Sequence, residues 1–319
     1  ACREQRKLRD MKTKTLSNLA LLLAAIIWGF AFVAQVEGTK YIGPFTMVGV
    51  RFFISIIALI PVILVFERGR VSREERKLTV IASLITGIVL FAAVSIQQFG
   101  IEMTSSAGVS GFITGLYTVF VPIAYFLFFK KKTGLQVWIG AGLALIGLFL
   151  LCYKAGEGLK FGWGELLLLL GSFLWTLHVI LIDRFGKKVR SLHFSWGQFA
   201  VCALLGLICM AIFDGPTLSL SAILDAKWAL LYCGALSVAG GFTLQVVGQK
   251  GADPTYAAII LSTESAFSAI GGAIFGVDSI AIAGYVGCAL MFLGIICSQI
   301  KLGSKKRGAV ETKDANKER

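Results

Sequence analysis

Residues 16–36 read LSNLALLLAAIIWGFAFVAQV: 21 consecutive residues without a formal charge. A helix needs about 20 apolar residues, at 1.5 Å each, to cross roughly 30 Å of hydrocarbon. A strand in lipid would need only about 10, in alternation. This run is too long and too evenly apolar for that, so it reads as a membrane-spanning helix. It does not read as a cleaved leader, because a cut after Ala34 would place the bulky Phe32 where a small residue is required.

Nine further runs of similar length follow, near 44–66, 78–98, 106–129, 134–153, 163–183, 192–213, 227–247, 254–275 and 280–300. Composition agrees: 56% of the 319 residues are hydrophobic and 15% charged, with mean hydropathy +0.80. A water-soluble chain of this length could not cover such an apolar surplus, whereas a bilayer accepts it. The 36 glycines lie largely inside the apolar runs, where they suit helix faces that approach closely in lipid.

The net charge of +13 falls in short gaps between spans, which points to membrane orientation and away from nucleic acid. One set of gaps carries Arg3, Arg6, Lys7, Arg9, Lys12 and Lys14, then Arg68 to Lys77, Lys130 to Lys132, Arg184 to Arg190, Lys250, and a tail from Lys301. The alternate set holds Lys40, Lys154, Lys160 and Lys227. By the positive-inside rule both termini are cytoplasmic, as an even number of spans requires. Residues 1–15 then form a cytoplasmic segment, its first ten reading as sequence upstream of a start at Met11. Residues 301–319 form a charged, cytoplasmic, disordered tail. The gaps are short and leave no room for a catalytic domain.

Two halves, 16–153 and 163–300, repeat. The stretch Ile139 to Gly147 answers Ala283 to Gly294, Trp28 answers Trp175, and Gln97 with Gly100 answers Gln245 with Gly248. Five spans per half is odd, so the second copy lies upside down relative to the first. The expected fold is an all-α membrane protein of ten transmembrane helices in two inverted five-helix repeats, an arrangement that lets a site open alternately to either side.

Ionisable groups inside spans are costly and therefore candidates for function. Glu264 falls near mid-membrane in span nine, with Ser268, Gly271 and Gly272 on its face; it reads as a contact for a substrate ammonium or a proton-coupling site, against a purely structural carboxyl. Arg51 in span two could face an anion or snorkel to the interface. His178, one turn from Trp175, could titrate or serve as an interhelical hydrogen-bonder. Ser110, Thr114, Tyr117 and Thr118 share one face of span four, beside a Gly111/Gly115 pair suited to packing, and Pro122 should bend that helix. Trp28 and Trp175 suit cavity walls. The cysteines in the spans show no C-x-x-C spacing or histidine partners and read as packing residues. No hydrolase, zinc or Walker motif is present, so neither enzymatic chemistry nor a cofactor is expected.

The stretches Ala25-Ile26-Ile27-Trp28-Gly29-Phe30-Ala31-Phe32-Val33 and Arg51-Phe52-Phe53 resemble the opening of the EamA family of the drug/metabolite transporter superfamily. Later blocks are similar too: Leu116 to Pro122, Gln245 to Lys250 and Ala258 to Ser265. The resemblance covers residues 16–300. It implies a ten-helix inverted repeat around a central cavity, and transport of amino acids, other metabolites or toxic compounds, often outward. The family's recurrent span-nine glutamate matches Glu264. Span four carries Tyr117 where a matching acid would complete a pair. The glutamate usual after spans four and nine is replaced by Lys130-Lys131-Lys132 and Gly276-Val277-Asp278.

The expectation is thus a secondary transporter, an exporter or facilitator, of a small metabolite such as an amino acid or related compound, working by alternating access in the plasma (inner) membrane. Trp28, Thr114, Tyr117, Trp175, Gln245 and Glu264 stand nearest the substrate, and Glu264, His178 and Arg51 are the cavity's titratable or charged groups. The alternative is a non-transporting membrane component, an assembly partner or sensor. Exposed glycine-rich faces allow a homodimer without requiring one.

Overall fold

A computed structural model describes residues 2–69, 71–130, 134–154, 158–159, 161–186, 188–215, 218–251, 260–278 and 280–299. In chain order the elements are α1 (Cys2–Gly38), α2 (Pro44–Phe66), α3 (Arg73–Thr104), α4 (Ala107–Gly115), α5 (Tyr117–Phe129) and α6 (Leu135–Cys152). A two-residue antiparallel pair follows, Tyr153–Lys154 with Gly158–Leu159. Then come α7 (Trp163–Gly186), α8 (Ser191–Cys209), a π-helical turn Met210–Asp214, α9 (Leu220–Asp225), α10 (Lys227–Leu231), a π-helical stretch Tyr232–Gly241, α11 (Phe242–Gly251), α12 (Glu264–Ile274) and α13 (Ile282–Gln299).

Among the described residues, seven helical segments are long and apolar enough to cross a membrane: Thr15–Gly38, Pro44–Phe66, Arg73–Thr104, Ala107–Phe129, Trp163–Gly186, Ser191–Asp214 and Lys227–Gln245. Leu135–Leu151, Ile260–Ile274 and Ile282–Ser298 are shorter apolar helices. The start of the ninth expected span, residues 254–259, and the tail from Lys301 lie outside the described residues.

The packing obeys a two-fold relation between halves. α2 crosses α8 antiparallel: Phe52 stacks edge-on against Phe199, and the Trp196 indole donates to the Ile56 carbonyl at 3.1 Å. At the crossing, Gly49 meets Gly206 so closely that a Cβ on Gly206 would fall 2.7 Å from the Gly49 Cα. α6 crosses α13 the same way, Gly140 against Gly294 and Gly147 against Gly287. Small residues let the backbones approach where no hydrophobic force drives helices together in lipid. Off the axis the contacts come in matching sets. A Cβ on Gly100 would meet the Leu168 Cγ at 2.7 Å, and one on Gly248 the Leu21 Cγ at 2.6 Å.

Carboxylates close the helix ends by the same rule. Glu67, at the end of α2, accepts from the Leu192 and His193 backbone N–H groups (2.9 and 3.1 Å) and lies 2.8 Å from His193 Nδ1, at the start of α8. Asp214, at the end of the turn after α8, accepts from the Thr46 N–H (2.7 Å) and hydroxyl (2.8 Å) at the start of α2. Each anion meets unsatisfied N–H groups at the positive end of a helix dipole. Asp278 does likewise for α4, accepting from Ala107 and Gly108 at 2.8 Å each.

Candidate functional site

Two helices break at matching places. In α4–α5 the Leu116 N–H reaches back to Ile113 at 3.2 Å, and ahead of α12 the Thr263 N–H reaches Ile260 at 3.1 Å. Both are tight i→i−3 turns. The first break lies at Leu116, a turn and a half before Pro122, so the proline is not its immediate cause. Tyr117 and Glu264 each follow their break, and the two side chains are neighbours on the cavity wall. The Gly111/Gly115 face packs on α12, where the Ser265 hydroxyl donates to the Gly111 carbonyl at 3.1 Å.

These two side chains border a cavity of about 140 Å³, room for about ten waters. Trp28, Gln35, Arg51, Gln97, Thr114, Trp175, His178, Ser237, Phe242 and Gln245 complete most of its wall. All eight residues singled out in the sequence therefore meet at one place, contributed by seven helical segments.

The wall is ordered by its own hydrogen bonds. The Trp28 indole donates to the Ser237 carbonyl at 3.0 Å, within the π-helical stretch, and its ring packs edge-on against Phe242 at 5.3 Å. A wide π turn frees carbonyls from the regular ladder, a feature common at functional sites. Gln97 Nε2 donates to the Thr114 hydroxyl at 3.1 Å. His178 Nε2 lies 2.8 Å from Gln198 Oε1, and Trp175 packs edge-on against the imidazole. The histidine thus serves as an interhelical link in the wall.

Arg51 is 5% exposed, so it does not snorkel. It donates to Gln35 Oε1 and lies 5.5 Å from the Phe52 ring centroid. Its Nε and the Trp175 Nε1 are buried without a hydrogen-bond partner. The sequence reading missed Ser237, whose contribution is a backbone carbonyl, and Gln35's place as the partner of Arg51. It also missed the caps made by Glu67, Asp214 and Asp278. A short polar run at a span end was the available signal for the caps, but not their partners, which lie more than a hundred residues away.

Relatives agree with this architecture. An uncharacterized transporter of Archaeoglobus fulgidus is 24% identical over 90% of this chain and 86% of its own. The uncharacterized transporter YoaV of Bacillus subtilis is 25% identical over 72% and 77%. The uncharacterized inner membrane transporter YedA of Escherichia coli is 27% identical over 69% and 71%. A solved crystal structure shares the fold, with a TM-score of 0.64 at 18% identity, covering 89% of this chain and 98% of its own. The profile of the EamA-like transporter family matches twice, at residues 15–153 and 162–299. With two matched repeats and a cavity carrying Glu264 and Tyr117 where the broken helices meet, this multi-pass membrane protein belongs to the EamA-like transporter family.

Proposed function

We propose that the protein is a secondary transporter of a small metabolite, such as an amino acid or a related compound, working by alternating access. The supporting observation is a cavity of mixed apolar and polar lining, bordered by Glu264 and Tyr117 directly after two matching helix breaks. Broken helices at a repeat interface place polar backbone and side chains where a solute can use them. On this reading all ten apolar segments cross the bacterial inner membrane, with residues 1–15 and 301–319 cytoplasmic. The repeats are 16–153 and 163–300. Glu264 is the principal polar contact for the solute, helped by Trp28, Thr114, Tyr117, Trp175 and Gln245.

The test is thermal stabilisation of the detergent-purified protein by a library of amino acids, nucleosides and small amines, since a ligand that binds only the folded state raises Tm by mass action. The expected result is a hit that disappears in Glu264→Gln and that labelled-solute flux in vesicles confirms. A flat library together with absent flux would overturn the proposal in favour of a non-transporting component. Whether Glu264 also couples protons is read from the same vesicles: coupling requires that the variant lose the pH dependence of flux.

A further inference from the structure

Arg51 is held in a way that its neighbours do not explain. A guanidinium has five N–H donors, and burying it costs several kcal/mol unless it is paired. Among the described residues no carboxylate pairs with it: its side-chain contacts are the Gln35 carbonyl oxygen, the face of Phe52 and the neighbouring Cys233 thiol. Among the described residues Nε has no hydrogen-bond partner. Glu264 is not placed to serve. Its backbone carbonyl would be 2.8 Å from a Cβ on Gly29, whereas Arg51 meets α1 at Gln35, roughly 9 Å farther along the helix by its rise per residue. Native interiors leave few polar groups unsatisfied, so a buried cationic donor facing a cavity calls for an acceptor that enters it.

The second unspent donor points the same way. The Trp175 Nε1 is buried and unpartnered, and Trp175 lines the same cavity. Three other donors of the wall are already used: Trp28 on Ser237, Gln97 on Thr114, and the Gln35 amide on Ala31 at 3.1 Å. What remains open around Arg51 is donor capacity, which suits an acceptor-only group. The charge balance limits that group further. The charged residues among the described lining are Arg51 and Glu264, so a single positive charge is on offer. Beside Arg51 a phosphate dianion would leave one of its own negative charges buried and unpaired, while a carboxylate would be matched there, and an ammonium on the same solute would match Glu264.

We infer that Arg51, with the Trp175 indole N–H as a second donor, forms a subsite for one carboxylate of the solute, at the opposite end of the cavity from Glu264. This rests on the transporter reading and adds to it a demand: the solute carries a carboxylate. Solutes that also carry an ammonium satisfy both ends. The planar two-donor fork matters, because a lysine would supply charge without the bidentate geometry.

The experiment titrates the full-length purified protein, followed by tryptophan fluorescence and Tm, with amino acids, their α-amides and their decarboxylated amines. Wild type should bind the best acid about tenfold or more tightly than its amide, the scale of a hydrogen bond to a charged group. Arg51→Gln should equalise the two, Arg51→Lys should keep part of the preference, and Glu264→Gln should keep it while losing preference for the ammonium. Equal binding of acid and amide by wild type overturns the subsite without any variant, and so does a preference that survives in Arg51→Gln. Vesicle flux separates the two readings. Flux of amines or amides without acid preference removes the subsite and leaves transport standing. Acid-selective binding lost in Arg51→Gln, with no flux of any solute, keeps the subsite and removes transport.

Discussion

Glu67 and Asp214 occupy matching places in the two halves and do the same work; Tyr117 and Glu264 also occupy matching places and do different work. Each member of the first pair takes a backbone N–H and a side-chain donor at the start of the opposite half's helix. In the second pair one side chain is a phenol and the other a carboxyl. Arg51 breaks the symmetry again: its link to Gln35 between α2 and α1 is answered, between α8 and α7, by the neutral Gln198–His178 link. The two-fold rule holds at the helix crossings and at the Glu67 and Asp214 caps. It fails at the cavity wall, which carries one cation and one carboxyl with no matching pair. A symmetric scaffold lets two halves exchange roles, while an asymmetric wall lets them recognise a directional solute.

The sharpest way to break the comparison is to attack the shared scaffold. Gly206→Leu forces a side chain onto the Gly49 backbone and should cost about 3 kcal/mol or more, seen as lost monodisperse yield. Gly142→Ala, at a glycine with nothing within 4 Å of the added carbon, should stay within about 0.5 kcal/mol. Equal damage from both would mean that the crossing is not what holds the halves together.

Next comes the asymmetric pair. Glu264→Gln should reduce flux about tenfold or more, and Tyr117→Phe only a few-fold, because the phenylalanine removes one donor while leaving the carboxyl in place. Both variants should fold with Tm near wild type. Equal losses of flux would make the tyrosine a solute contact in its own right.

The capping pair should show the smallest effects. Asp214→Asn and Glu67→Gln should each cost about 1 kcal/mol in thermal unfolding. Burial pushes the Glu67 carboxyl up, but hydrogen bonds from Leu192 and His193 outweigh it and hold the group below the ordinary carboxylate value. A carboxyl depressed in the folded state contributes stability that is present above its unfolded pKa, about 4.3, and is lost as pH falls through the folded value. Glu67→Gln should therefore flatten the acid limb of Tm against pH below about pH 4. An unchanged limb would show that the α2–α8 clasp does not depend on the charge of Glu67.

The apolar runs, their flanking charges and the duplicated Gly, Gln and Trp positions are local features, and lipid makes them decisive. With no water to satisfy the backbone, a long apolar run must become a helix, so membrane residence, the helical segments and the repeat were legible from residues 16–300 alone. The cost of burying charge likewise marked Glu264, Arg51 and His178 before any coordinates. What the sequence could not assign is which of these would find a partner. His178 finds Gln198 and Tyr117 comes to lie beside Glu264, whereas Arg51 keeps an unpaired donor, and those outcomes depend on neighbours up to 147 residues away in the chain. The same holds for Asp278, whose place as the cap of α4 follows from contacts 170 and 171 residues apart. Hydropathy and charge act through the solvent and are written in the local sequence. Hydrogen-bond complementarity acts between particular atoms, and only the packed tertiary structure brings those atoms together.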